Sequence, residues 1–136
     1  PYKYSTLMPG VTETLNFFYE RKILMGICTN KRQFVTEKLI EKMNLSKFFT
    51  TIVGARDNIP LKPKPNMLIL TMEGFNTTNK MFYMVGDTSN DIDAAKAANI
   101  KSIAVAGGYT DKDVNKLGAT HTLKNMKDII KLLGLS

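Results

Sequence analysis

Three short stretches of the chain put reactive side chains where an apolar run gives out. Ile23-Leu-Met-Gly-Ile-Cys28 runs into Thr29-Asn30-Lys31, a polar loop holds Lys62-Pro-Lys-Pro65, and Met81-Phe-Tyr-Met-Val85 runs into Gly86-Asp87-Thr-Ser-Asn-Asp91. Together they supply a hydroxyl, a fixed ammonium and two carboxylates. Those are the parts needed to hold a phosphate beside a magnesium ion. Hydroxyls and backbone N–H groups at a helix start donate to phosphate oxygens. A lysine offsets the charge that develops as a phosphoryl group moves. Mg²⁺ takes one or two carboxylates and completes its shell with water and phosphate oxygen. Asp87 and Asp91 are separated by one strand-to-helix turn, so both can face one cavity.

Elements that alternate between strand and helix must position these residues. Val11, Leu15, Phe18 and Tyr19 recur at helical spacing. The run Ile23–Cys28 is short and apolar throughout, as expected of a strand covered on both faces. Asn30 is placed to cap a following helix with the stripe Val35, Leu39, Ile40, Met43. Phe48–Val53 reads as a second strand and Pro65 as the opening of a helix. Met81–Val85 is a third strand, Ser89–Ala98 a helix, Lys101–Val105 a fourth strand. Thr110 with Asp113 suggests a capping box. Thr120–Leu123 reads as a short edge strand, and a helix over about Asn125–Leu133 closes the chain. This alternation predicts βαβ units, a mainly parallel sheet and a three-layer α/β architecture. Ligands of such sheets bind beyond the C-terminal ends of the strands, where Thr29, Asp87 and Asp91 are expected.

Composition sets the outer limits. The chain has 136 residues, 43% hydrophobic and 23% charged, suited to one globular domain over residues 1–136. No apolar run approaches the ~20 residues of a membrane span. Net charge is +7, with 19 Lys+Arg against 12 Asp+Glu. The basic residues are dispersed, with no aromatic-interleaved stripe, so neither nucleic acid nor a membrane is an expected partner. The single cysteine, Cys28, excludes an internal disulfide and fits a reducing, cytoplasmic setting. Cys28 is read as a small buried hydrophobe and His121, the lone histidine, as a surface residue; Tyr109 is read either as lining the rim of the site or as a structural turn aromatic.

The order Pro9-Gly-Val, Cys28-Thr-Asn-Lys31, Leu61-Lys-Pro-Lys-Pro65, Val85-Gly-Asp-Thr-Ser-Asn-Asp91 and Asp93-Ala-Ala-Lys-Ala-Ala98 resembles the haloacid dehalogenase superfamily, most closely its phosphoglycolate phosphatase-like branch. The likeness runs from about Leu7 to the end and implies a Rossmann-like core. By this resemblance Thr29 binds phosphate with Asn30 beside it. Lys62 orients the nucleophile and contacts the phosphoryl group, while Lys64 is bystander charge. Asp87 and Asp91 form the Mg²⁺ site. The implied activity is Mg²⁺-dependent hydrolysis of a small phosphorylated metabolite through an aspartyl-phosphate.

One part of the family pattern is missing. The nucleophile belongs to an Asp-x-Asp-Gly-Thr stretch at the end of a strand, followed by a cap domain. The only Asp-x-Asp pairs here, Asp91-Ile-Asp93 and Asp111-Lys-Asp113, lack the Gly-Thr continuation. The resemblance puts the missing strand in mid-sheet, so its loss is expected to leave two strand edges open. A missing N-terminal segment, a split gene product completed by a second chain, or a shortened non-catalytic relative in which Tyr2–Leu7 or the strand of an exchanged homodimer fills the gap would each account for it, and the chain alone is expected to be inactive. Two rival readings are a non-catalytic binding or assembly module and a sugar phosphomutase. A receiver-type domain fits less well, because its acidic pair would stand where Cys28-Thr29 stands.

Overall fold

The computed structural model describes residues 10–76, 81–106 and 114–134. In chain order the elements are α1 (Val11–Glu20), β1 (Gly26–Arg32), α2 (Gln33–Lys42), β2 (Thr51–Ala55), α3 (Asn66–Glu73), β3 (Tyr83–Gly86), α4 (Ser89–Ala97), β4 (Lys101–Val105), β5 (His121–Leu123) and α5 (Asp128–Leu132). Single 3₁₀ turns lie at Ser46–Phe48 and Val114–Lys116. Among the described residues every strand pairing is parallel, which makes this the α/β fold that the alternation predicts. Among the described residues the strands nevertheless form two sheets, β1-β2 and β3-β4-β5, with no ladder between β1 and β3.

Helices cover both faces. On one, Phe18 of α1 and Ile129 of α5 pack on Ile103 and Val105 of β4. Ile40 of α2 joins Phe48 against Ile27 and Ile52 on the same side. On the other face, Leu68 of α3 and Ala94 and Ala95 of α4 pack against Met84 and Cys28. Ile103 has no solvent exposure. Its shortening by one methyl, Ile103→Val, is therefore expected to cost about 1 kcal/mol, read as a lowered urea midpoint at unchanged slope.

Several boundaries and faces differ from the sequence expectation, for physical reasons. The first strand begins at Gly26 and runs to Arg32, so Asn30 lies in β1 and does not cap α2. The N-cap of α2 is Arg32, without a side-chain bond. The second strand begins at Thr51, because Ser46–Phe48 winds into a 3₁₀ turn. Tyr19 and Val35 are exposed, and Thr14 and Thr36 take buried positions instead. Each of these threonines returns its hydroxyl to a carbonyl, Gly10 or Arg32 respectively, and so enters an apolar face without an unpaired donor. Pro65 is the N-cap of α3 rather than its first residue. The last helix is the five residues Asp128–Leu132. The fourth strand and the helix after Asp87 fall where expected, and β5 is an edge strand. Tyr109, Thr110 and Asp113 lie outside the described residues. Among the described residues, no helix is long and apolar enough to cross a membrane.

Candidate functional site

The candidate site forms where β1 and β3 end. Gly86 closes β3 and the chain turns through Asp87 into α4. Thr88 is the helix N-cap, its hydroxyl oxygen accepting from the Asp91 N–H at 3.4 Å. Asp91, in the first turn, folds back. Its Oδ2 accepts from the Thr88 hydroxyl at 3.1 Å and from the Asp87 N–H at 3.3 Å. The turn into the helix thus fixes the carboxylate through the N-cap hydroxyl and the N–H of the residue before it.

The other oxygen of that carboxylate meets Lys62. Lys62 Nζ donates to Asp91 Oδ1 at 2.5 Å and to the Cys28 carbonyl at 2.7 Å. The Lys62 side chain is 6% exposed and that of Asp91 13%. Asn30 holds the lysine's backbone in place: its Nδ2 donates to the Lys62 carbonyl and its Oδ1 accepts the Lys62 N–H, each at 2.9 Å. The loop between β2 and α3 is thereby pinned to β1 at the one residue whose ammonium enters the site. Lys64, two residues on, is exposed, in keeping with bystander charge. Thr29 lies between Cys28 and Asn30 in β1. Its hydroxyl oxygen accepts the Lys31 N–H at 3.1 Å, which leaves the O–H hydrogen available to a further acceptor.

Of the five residues singled out in the sequence, Asn30, Lys62, Asp87 and Asp91 are joined through this hydrogen-bond network. Thr29 adjoins it through the chain. Asn30 stands beside Thr29 as expected, but its amide is spent on the Lys62 backbone. Both oxygens of Asp91 are engaged by protein donors. Two participants were not singled out. The Cys28 carbonyl carries no sequence signal. Thr88 does, because Thr88-x-x-Asp91 has the spacing of a capping box.

The donor set suits a hydrated, oxygen-seeking cation better than an enclosed one. Among the described residues there is no group of three or more His, Cys, Asp or Glu able to hold a metal. A site built on one or two carboxylates, with water and phosphate filling the rest, matches the demands of Mg²⁺ and not those of structural zinc.

Burial pushes the Cys28 thiol above its ordinary pKa, outweighing the Thr71 hydrogen bond and the nearby Lys62 ammonium. The fold therefore favours the neutral thiol. The resulting stabilisation is complete below the ordinary thiol range and is lost as pH rises through the raised value. Iodoacetamide is expected to alkylate the native chain more slowly than the urea-unfolded chain across neutral and mildly alkaline pH. Cys28 is half-buried rather than fully buried, and equal rates would contradict even that partial shielding.

The chain and its parallel α/β fold are matched by known proteins. The model for haloacid dehalogenase-like hydrolases matches residues 2–105, and the chain belongs to that family. The phosphoglycolate phosphatase of Salmonella typhi is 32% identical over 130 residues, covering 95% of this chain and 52% of the relative. That of Escherichia coli (strain K12) is 31% identical over the same shares. The chain spans about half the length of the curated relatives it matches. A HAD-superfamily hydrolase from Ehrlichia chaffeensis superposes with a TM-score of 0.81 at 25% identity, over 96% of this chain and 59% of that one. A Thermotoga maritima structure with a beta-phosphoglucomutase designation gives 0.78 at 25% identity, over 93% and 59%. A predicted phosphoglycolate phosphatase from Haemophilus somnus reaches 0.85 at 21% identity, over 96% and 60%, a likeness of fold.

Proposed function

We propose that this chain is the phosphate- and metal-holding part of a Mg²⁺-dependent phosphomonoester hydrolase of the phosphoglycolate phosphatase type, acting on a small phosphorylated metabolite. The observation that carries the reading is the buried Lys62 ammonium, fixed between the Cys28 carbonyl and Asp91 at the C-terminal ends of β1 and β3. A lysine held this way needs no reorganisation when negative charge builds up beside it. Thr29 donates its hydroxyl hydrogen to a phosphate oxygen. Asp87 holds the cation directly, and Asp91 sets the turn that presents it. Bound Mg²⁺ would supply charge neutralisation at the phosphoryl oxygens.

The attacking carboxylate comes from outside these 136 residues, since neither Asp-x-Asp pair has the required continuation. The pure chain is therefore expected to bind Mg²⁺ and phosphate weakly and to leave p-nitrophenyl phosphate intact. Vigorous metal-dependent turnover by the chain alone would contradict the assignment of the nucleophile. Asp87→Asn is expected to weaken Mg²⁺ binding, measured calorimetrically. Unchanged affinity would remove Asp87 from the metal site.

The mutase reading rests on the likeness to the Thermotoga structure and shares all of these residues. It predicts phosphoryl transfer to a sugar hydroxyl in place of water once the nucleophile is present. The non-catalytic reading predicts no turnover under any complementation.

A further inference from the structure

Helix α3 carries apolar residues on its outward face as well as its inward one. Met67, Leu68 and Thr71 are its buried residues. The other face presents Asn66, Ile69, Leu70 and Glu73, spaced at i, i+3, i+4 and i+7. A surface helix ordinarily shows polar residues there, yet Ile69 is 42% exposed.

The loop that leaves β2 runs beside this face. It turns at Asn58, whose φ of 69° is one that asparagine tolerates. Ile59 and Pro60 then close a groove of about 240 Å³ with Asn58 and the four outward residues of α3. Leu61, next in the chain, is also exposed, whereas Lys62 is buried with its ammonium on the Cys28 carbonyl. The groove therefore shares no residue with the candidate site.

Its polar groups are unspent. Neither the Asn58 nor the Asn66 side chain bonds to another described residue. Among the described residues Lys62–Asp91 is the one ion pair, so the Glu73 carboxylate has no cationic partner there, in a chain of net charge +7. No basic residue lines the groove, so an anion finds nothing to pair with. A drug-sized ligand usually occupies about 300–1,000 Å³. This groove is smaller and suits a body the size of one aliphatic side chain.

We propose that the groove between loop 58–60 and α3 binds a small branched alkylammonium. The aliphatic body lies against Ile59, Pro60, Ile69 and Leu70, and the ammonium donates to Glu73. The side-chain carbonyls of Asn58 and Asn66 are further acceptors at the rim. The site goes beyond the hydrolase reading and uses none of its residues.

The test is an amide NMR titration of the full chain with 3-methylbutylammonium at constant ionic strength, beside the neutral 3-methylbutan-1-ol and the anionic 4-methylpentanoate. Saturable shifts confined to residues 58–61 and 66–73 are expected. The ammonium should bind about three- to fivefold tighter than the alcohol, the range of an exposed ion pair. Glu73→Gln should bring the two to equal affinity, and Ile69→Ser should weaken both. Glu73 and Ile69 are exposed, so both variants should keep the native spectrum elsewhere, and the comparison of the three probes needs no variant. Scattered or unsaturable shifts, equal affinity for ammonium and alcohol in the native chain, or a preference that survives Glu73→Gln would each overturn the site. Groove binding of 4-methylpentanoate as tight as that of the ammonium would also overturn it, because a basic chain attracts that anion without any help from Glu73.

Discussion

Replacing Lys62 with alanine is expected to destabilise the chain by about 3–5 kcal/mol, the usual cost of removing one partner of a buried ion pair. The reason is local. Asp91 Oδ1 would lose its cationic partner, and the Cys28 carbonyl would lose its donor in a region mostly shielded from water. For a chain of this size, melting is expected to fall on the order of 10 °C or more. The double variant Lys62→Met with Asp91→Leu should recover part of the loss, because apolar replacement of a whole buried pair is often close to neutral. Recovery stays incomplete, since the Thr88 hydroxyl and Asp87 N–H lose the acceptor they use. A loss below about 1 kcal/mol for Lys62→Ala would equate the pair with an exposed salt bridge and contradict its burial.

Gly86→Ala is expected to be the next most damaging single change. A methyl group there would stand 2.6 Å from Asp91 Cβ and Cγ and strike Oδ2 as well. Those atoms belong to a short side chain held by Lys62, Thr88 and the Asp87 N–H, so they have little room to yield. Overpacking of this kind costs about 1–3 kcal/mol. The larger consequence falls on the site, because the methyl occupies the volume that brings Asp91 under Lys62. Gly86→Ala should therefore lower stability and also perturb the Lys62 Nζ environment, seen as a changed side-chain ammonium NMR signal. A stable variant with an unaltered Lys62 signal would show that the close approach of β3 to α4 is not what sets Asp91.

These two effects also mark how much of the molecule was legible in the sequence. The order of strands and helices follows from short apolar runs separated by amphipathic ones. The residues at the strand ends follow from the rule that parallel sheets place ligands there. Lys62 was legible as a type at a place, but its anchoring was not. The bonds from the Asn30 side chain reach across 32 positions, a separation that no local pattern encodes. The same long-range demand drew Asn30 into β1 and away from the capping role its residue type suggests. Thr14 and Thr36 were missed in the core because hydropathy treats them as polar, whereas bonds to carbonyls of the preceding turn make them compatible with burial. The resemblance implied two open strand edges, and β1 and β3 are left without a shared ladder.

Under the proposed function, Thr29, Lys62, Asp87 and Asp91 serve one cation-and-oxyanion pocket. Its most direct measurement is an amide and side-chain NMR titration of the pure chain with millimolar MgCl₂ and inorganic phosphate, added separately and together. Saturable shifts confined to Thr29–Lys31, Lys62 and Gly86–Asp91 are expected, with tighter phosphate binding when Mg²⁺ is present and loss of that linkage in Asp87→Asn. Shifts scattered over the basic surface, or phosphate binding indifferent to both Mg²⁺ and Asp87, would contradict it.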